Sequence, residues 1–171
     1  MEREHLVVMG VSGTGKSTVG RLVAEQLGRP LVEGDDLHPP ANIAKMRAGL
    51  PLTDEDRGPW LRAVRDAMNA GGSTVVACSA LRHSYRDILR TAEGRVRFAL
   101  LVVTPDELAA RLVARTDHFM PASLLASQLA ALEHLQPDED GVTIAAEPTR
   151  EGTASALVGV LSPTSADAAE R

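Results

Sequence analysis

The chain has 171 residues, of which 44% are hydrophobic and only 2% aromatic, and its formal net charge at pH 7 is −5. A chain of this length suits one domain that buries a hydrophobic core without disulfides or a structural metal. The negative charge argues against a nucleic-acid partner, because a phosphate backbone binds a broad basic surface. The scarcity of aromatic residues argues against base stacking.

The cysteine count and the lengths of the apolar stretches bear on the compartment. Cys78 is the only cysteine, which excludes an internal disulfide and favours a reducing environment. No apolar stretch reaches the roughly 20 residues that span a bilayer, and the first residues lack a signal-peptide pattern. We expect a cytoplasmic protein without a membrane partner.

Apolar runs with β-type composition alternate with helical patterns along the chain. The runs predict strands at 6–9, 30–32, 74–78, 98–103 and 142–145. Helices are predicted at 16–27, 41–48, 55–70, 84–91, 105–115, 121–132 and 150–161, with Asp54 and Thr104 as candidate N-caps. This alternation predicts a three-layer α/β fold, a five-stranded parallel sheet flanked by helices. We expect one domain over 1–161 and a frayed tail at 162–171.

A glycine-rich loop lies between the first predicted strand and the first helix. Residues 10–17 read Gly-Val-Ser-Gly-Thr-Gly-Lys-Ser, which is the phosphate-loop pattern. Its backbone N–H groups and the following helix N-terminus can surround a polyphosphate, while Lys16 contacts the β- and γ-phosphates and Ser17 ligates Mg²⁺. A glycine-rich turn in another α/β protein would explain the glycines but not Lys16. The predicted ATP-binding residues of the loop are Gly10, Val11, Ser12, Gly13, Thr14, Gly15, Lys16, Ser17 and Thr18.

Carboxylates follow the second predicted strand. Ligands of open α/β sheets bind beyond the carboxyl ends of the strands, so Asp35 is predicted to lie beside the γ-phosphate. There it can accept the proton of an attacking hydroxyl and serve, with Lys16, as a catalytic residue. For Asp35 and Asp36 the alternative is a solvated loop pair or a cap for the next helix.

Residues with fixed gaps across several loops then resemble one family. The first group is Gly34-Asp35-Asp36-Leu37-His38-Pro39, Asn42, Lys45-Met46, Gly49, Pro51-Leu52, Asp54, Asp56-Arg57 and Pro59-Trp60-Leu61. The others are Cys78-Ser79-Ala80-Leu81, Tyr85-Arg86-Asp87, His118-Phe119-Met120-Pro121, Leu124-Leu125 and Ser127-Gln128. Over about residues 6–145 this pattern resembles the bacterial gluconokinases of the phosphate-loop kinase superfamily.

The resemblance implies a particular reaction. It implies a fold similar to shikimate and adenylate kinases and phosphorylation of D-gluconate by ATP at the 6-hydroxyl, giving 6-phosphogluconate and ADP. Transfer would be direct and in line, with Mg²⁺ arriving on ATP, and relatives suggest a homodimer.

A polyhydroxylated carboxylate needs a cation and several hydrogen-bonding side chains. Arg57 is predicted to hold the gluconate carboxylate, and its alternative is a surface ion pair with Asp54 or Asp56. His38 and Asn42 are predicted to contact hydroxyls, although His38 suits a brace for the loop equally well.

Basic residues after the third strand and before a predicted lid complete the site. Ser79 and Arg82 are predicted to bind substrate, and Arg82 stands where the family usually has lysine. Arg111 and Arg115 lie four residues apart before a lid at about 116–121, and both are predicted to contact ATP. Arg115 is the predicted catalytic arginine, which neutralises charge on the moving phosphoryl group. For Arg111 an exposed helix charge is the alternative.

Two other functions fit part of this pattern. A kinase of the same fold for another small acid, such as shikimate, would use the same loop and Asp35. A nucleotide-dependent switch is the second alternative, but no Asp-x-x-Gly follows the third strand.

Near the expected adenine site, residues 143–148 lack the aspartate that relatives tend to carry, so base selectivity is not predicted. Trp60, the sole tryptophan, is predicted to be an apolar anchor.

Overall fold

The computed structural model describes residues 2–114 and 123–161. Each strand is followed by one or two helices in the described ranges, and a short 3-10 turn at Gly34–Leu37 follows the second strand. The strands are β1 (Glu4–Met9), β2 (Leu31–Glu33), β3 (Val75–Ala77), β4 (Arg95–Val102) and β5 (Gly141–Ala145). The helices are α1 (Lys16–Leu27), α2 (Pro40–Arg47), α3 (Asp54–Ala70), α4 (His83–Arg90), α5 (Pro105–Ala114), α6 (Ser123–Ala131) and α7 (Arg150–Leu161).

The strands form one sheet in the order β2-β3-β1-β4-β5, with every pairing parallel. Side chains of β1 alternate between its faces: Val7 and Met9 join the core beneath α3 and α4, whereas Leu6 and Val8 join the core beneath α1 and α7. The predicted α/β fold with a five-stranded parallel sheet is confirmed. Because all strands run the same way, their carboxyl ends meet at one edge of the sheet, where the candidate site lies.

Predicted and observed elements agree closely, and two differences have a physical explanation. β4 begins three residues before the predicted position, because Arg95 and Arg97 pair with Asp140 and are accommodated within the strand. The 3-10 turn after β2 was not predicted, since its four residues carry no periodic signal. The predicted lid at 116–121 and the tail at 162–171 lie outside the described residues.

The predicted N-cap of α3 is wrong by one residue. Thr53 is the cap: its hydroxyl accepts from the Asp56 N–H at 3.2 Å, and the Asp56 carboxylate accepts from the Thr53 N–H at 2.8 Å. Asp54 is instead the first residue of the helix, and its carboxylate binds Arg82. At the start of α5 the Thr104 hydroxyl accepts from the Glu107 N–H at 3.3 Å, so Thr104 is confirmed as a cap.

The lone cysteine lies immediately after β3. Cys78 is buried, and burial raises the pKa of its thiol to about 12, which makes it a poor nucleophile. Across the ranges 2–114 and 123–161, no helix combines the length and the apolar character that crossing a membrane requires.

Candidate active site

The phosphate loop adopts a conformation that requires glycine at two close approaches. Gly10 has φ 145°, and a Cβ there would lie 2.9 Å from the backbone oxygen of Leu101. Gly15 has φ 96°, and a Cβ there would lie 2.7 Å from the Arg150 guanidinium. The Thr14 hydroxyl closes the loop by donating to the backbone oxygen of Val11 at 2.9 Å.

α1 starts at Lys16 directly after this loop. No side chain caps its N-terminus at Gly15, so the first N–H groups point to the space that a phosphate would fill. The Lys16 ammonium donates to the backbone oxygen of Val11 at 3.1 Å, which holds it over the loop. Of the predicted ATP-binding residues 10–18, Ser12 and Lys16 line one cavity, and the set stays a prediction.

The predicted magnesium ligand has a carboxylate beside it. Ser17 hydrogen-bonds Glu33, and burial raises the pKa of Glu33 despite that hydrogen bond. Hydroxyl and carboxylate oxygens are hard donors of the kind Mg²⁺ prefers. In the part of the chain that is described, no cluster of three or more His, Cys, Asp or Glu side chains could hold a metal ion alone. Ser17 and Glu33 supply oxygen donors that fit an ion carried by phosphate oxygens.

Asp35 and His38 line the same cavity as Lys16. Their carboxylate oxygen and ring nitrogen, Oδ1 and Nε2, are 4.0 Å apart, and the Asp35 side chain is 72% exposed. The His38 ring stacks on Trp60 with centroids 4.1 Å apart and an angle of 14°. Trp60 donates from Nε1 to the backbone oxygen of Gly34 at 2.7 Å. Trp60 is thus a buried anchor that fixes the turn carrying Asp35.

Asn42 fixes the tautomer of His38. Its amide nitrogen lies 3.3 Å from His38 Nδ1, so Nδ1 accepts and the ring proton is on Nε2, toward Asp35. The same nitrogen donates to the backbone oxygen of Asp56 at 3.0 Å, and Asn42 does not line the cavity. Burial lowers the pKa of His38, which keeps the ring neutral. The predicted brace and hydroxyl-contact roles of His38 are therefore compatible, whereas Asn42 is placed to act through His38.

Arg57 lines the same cavity as Lys16 and Asp35. Its guanidinium donates to the backbone oxygen of Leu52 and, at 3.2 Å, to the Tyr85 hydroxyl. Within the described residues it pairs with neither Asp54 nor Asp56, the alternative raised above. Asp56 binds Lys45 at 2.7 Å, and this hydrogen bond, with others from Thr53, lowers its pKa to about 2.

The two residues predicted after β3 have different surroundings. Ser79 lines the cavity, and its backbone oxygen accepts from the Gly10 N–H at 3.3 Å, which ties the turn to the phosphate loop. Arg82 does not line the cavity: its guanidinium pairs with Asp54 at 3.2 Å and lies 5.9 Å from the Tyr85 ring centroid. Arg82 is therefore placed to hold Asp54 at the rim.

Two guanidinium groups donate to the backbone of the phosphate loop. Arg111 and Arg150 donate to the same backbone oxygen, that of Thr14, at 3.3 and 3.2 Å. Arg111 is thus held at the loop, whereas Arg115 lies outside the described residues. Arg150 was missed, although the rule that ligands bind beyond strand ends, applied to β5, would have indicated it.

α6 contributes a side of the cavity that the sequence interpretation left without a role. Leu124, Ser127 and Gln128 line it. The Gln128 side-chain oxygen accepts from the Ser12 N–H of the phosphate loop at 2.7 Å. These residues formed part of the family pattern but carried no chemical signal of their own.

Comparison with known proteins decides the family. A family model described as shikimate kinase matches residues 12–139. A gluconokinase of Gluconobacter oxydans (strain 621H) is 51% identical over 151 residues, 86% of this chain and 85% of that protein. The chain belongs to the gluconokinase family. A crystal structure of a gluconokinase from Sinorhizobium meliloti 1021 agrees, with a TM-score of 0.82 and 46% identity over 92% of this chain and 93% of that one.

The gluconokinase family places the chain among kinases, so it is an ATP-using enzyme rather than a switch. The wider fold is shared with a shikimate kinase from Aquifex aeolicus, at a TM-score of 0.60 and 14% identity over 98% of this chain and 99% of that one. That similarity supports the fold alone. The predicted resemblance is confirmed, and the shikimate alternative corresponds only to a distant relative.

Proposed function

We propose that this protein transfers the γ-phosphoryl group of ATP to the 6-hydroxyl of D-gluconate, giving 6-phosphogluconate and ADP. One observation carries the proposal: a single cavity is lined by Lys16 of the phosphate loop, by Asp35 and by Arg57. These are the groups that a nucleotide phosphate, an attacking hydroxyl and a substrate carboxylate respectively require.

The chain's own residues prepare both reactants for in-line transfer. The loop amides and Lys16 hold the β- and γ-phosphates, and Ser17, with Glu33 nearby, would hold Mg²⁺, which offsets phosphate charge when bound. Asp35 orients the 6-hydroxyl and accepts its proton as the oxygen–phosphorus bond forms and the bond to the ADP oxygen breaks. No covalent enzyme intermediate is required.

The acceptor is held at its two ends. Arg57 binds the carboxylate, while His38 Nε2–H and the Ser79 hydroxyl are the donors for hydroxyls along the chain. Asn42 contributes by fixing His38, and Arg82 contributes through its pair with Asp54 at the rim. Each of these roles is consistent with the position of the side chain relative to the cavity.

The nucleotide side includes arginines beyond the loop. Arg111 donates to the loop, and Arg115 follows it by four residues in the sequence, so Arg115 is assigned to the moving phosphoryl group. We also propose one domain over 1–161, a lid at about 116–121, a homodimer, and no nucleic-acid partner. A cytoplasmic location stays a prediction from the composition.

An assay that couples ADP release to NADH oxidation, run across sugar acids and shikimate, tests the function. We expect magnesium-dependent turnover with D-gluconate, and 6-phosphogluconate as the product. Turnover with shikimate alone would favour the same-fold alternative. Slow ATP hydrolysis that no acceptor stimulates would contradict the proposal.

A further inference from the structure

α6 joins the phosphate loop to the acceptor side of the cavity through two residues one turn apart. Gln128, only 9% exposed, accepts from the Ser12 N–H across 116 positions of sequence. Leu124 lies four residues earlier on the same helical face and is also buried. One helix therefore contacts both halves of the site.

The acceptor-side contact is an apolar cluster. Leu124 packs with Met46 of α2 and with Leu52, and these three buried residues form a cluster separate from the two main cores. Leu52 also supplies the backbone oxygen that receives the Arg57 guanidinium. A shift of Leu124 would consequently move the support of the residue proposed to hold the gluconate carboxylate.

The loop-side contact is polar and directional. A glutamine side chain carries one oxygen that accepts and one nitrogen that donates, so binding Ser12 through the oxygen fixes which way the amide faces. Gln128 lines the cavity with Lys16, Asp35 and Ser79, the groups around the proposed reaction centre. Its bond length of 2.7 Å is that of a well-formed hydrogen bond.

We propose that Gln128 is a positioning residue that couples acceptor binding to the phosphate loop. This inference rests on the proposed kinase function. Through the Leu124 contact and the Ser12 bond made one turn later, α6 sets the distance between the acceptor hydroxyl and the γ-phosphoryl group. The rate of phosphoryl transfer depends strongly on that distance, whereas the affinity for ATP does not.

Loss of the hydrogen bond between Gln128 and Ser12 should therefore uncouple ATP cleavage from phosphoryl transfer to gluconate. In Gln128→Met, a side chain of similar length without an oxygen replaces the amide, and in Gln128→Asn the amide is shorter and cannot reach Ser12. We expect both to lower kcat for transfer by about tenfold or more with little change in the KM for ATP. We also expect ADP release to exceed 6-phosphogluconate formation, because water can replace the misplaced hydroxyl.

The matched control is Leu129→Met, the next residue of α6, which is half exposed and outside the cavity. It should keep wild-type kcat and equal yields of ADP and product. The double variant Leu124→Ala/Gln128→Met should lower kcat by less than the product of the two single-variant factors, since either change breaks the same connection.

Distinct results overturn the inference and the function. If Gln128→Met keeps wild-type kcat and equal yields of ADP and product, the inference is wrong. It is also wrong if the melting temperature falls while both yields drop in proportion, because that pattern describes a merely structural bond. If the wild type does not phosphorylate gluconate, the proposed function fails instead. The yields of ADP and of phosphorylated product are then measured with the acid that the enzyme does use.

Discussion

Arg86 and Glu139 form an ion pair in which both side chains are fully buried. The guanidinium Nη2 donates to Glu139 Oε2 at 3.0 Å, and Nε donates to the other carboxylate oxygen. The remaining hydrogen bonds of Arg86 go to the backbone oxygens of Ala80, Leu81, Glu133 and His134. The pair thus ties the turn that carries Ser79 to the segment between α6 and β5.

We expect Glu139→Gln to destabilise the fold by about 3 to 5 kcal/mol, because it leaves the Arg86 charge buried without a counter-charge. Urea unfolding measures this loss as a lower midpoint. Asp138→Asn is the control: it removes the neighbouring exposed partner of Arg90 and should leave the midpoint nearly unchanged. Equal midpoints for wild type and Glu139→Gln would show that the buried pair contributes nothing.

Asp35→Asn should lower kcat by roughly 10²- to 10⁴-fold, because an amide cannot accept the proton of the 6-hydroxyl. The KM for ATP should stay nearly constant, since the phosphate loop is unchanged. Steady-state kinetics with each substrate varied separate these effects. Asp36→Asn, an exposed neighbour outside the cavity, is the matched control. Full turnover in Asp35→Asn would remove Asp35 from the chemistry.

Arg57→Met should raise the KM for gluconate by roughly ten- to a hundredfold, the range expected for losing charge-assisted hydrogen bonds to a carboxylate. Arg57 lines the cavity, and its guanidinium donates to the Tyr85 hydroxyl at 3.2 Å, so the proposed carboxylate contact adds a charge-assisted partner to a neutral one. The control varies the substrate: a neutral polyol should bind wild type and variant equally weakly. A similar loss of affinity for the polyol would mean that Arg57 supports the cavity shape rather than the carboxylate.

Stability should fall as the pH drops below about 6.5. Burial lowers the pKa of His5 below its usual 6.5, because the ring is enclosed between Thr74 and the backbone oxygen of Glu93. The unfolded chain then binds a proton that the folded chain does not, so the stability is complete above pH 6.5 and declines toward the folded pKa. His38 acts in the same direction.

Urea unfolding at pH 7.5 and 5.5 measures this slope. His5→Asn should reduce the difference between the two pH values, whereas His134→Gln, at an exposed site, should leave it unchanged. A wild-type midpoint that does not fall between pH 7.5 and 5.5 would refute the assignment.

Local patterns made most of the fold predictable. The glycines, lysine and hydroxyls of residues 10–18 lie next to one another in sequence, so their joint role in phosphate binding can be predicted without tertiary structure. α1 matches its predicted bounds because Gly15 and Gly28 mark both ends. The cap of α3 was placed one residue late because Thr53 and Asp54 are both good capping residues and only the geometry separates them.

Long-range partners explain what the sequence did not determine. One predicted alternative for Arg57 was an ion pair with Asp56, but the Asp56 carboxylate accepts from Lys45, 11 residues away. The pair of Arg82 with Asp54, 28 residues away, was not predicted, and the contact of Arg82 with substrate stays a prediction. Nothing in the sequence around Gln128 indicates that its side chain binds the phosphate loop. These outcomes depend on which segments meet, and spacing along the chain carries no record of that.

The stack of His38 on Trp60 gives the molecule a built-in optical reporter. Trp60 is the sole indole of the chain, and it contacts a ring at the wall of the acceptor cavity. Ligands that displace or polarise the imidazole should change the indole emission, so occupancy can be followed in the unlabelled enzyme without any turnover.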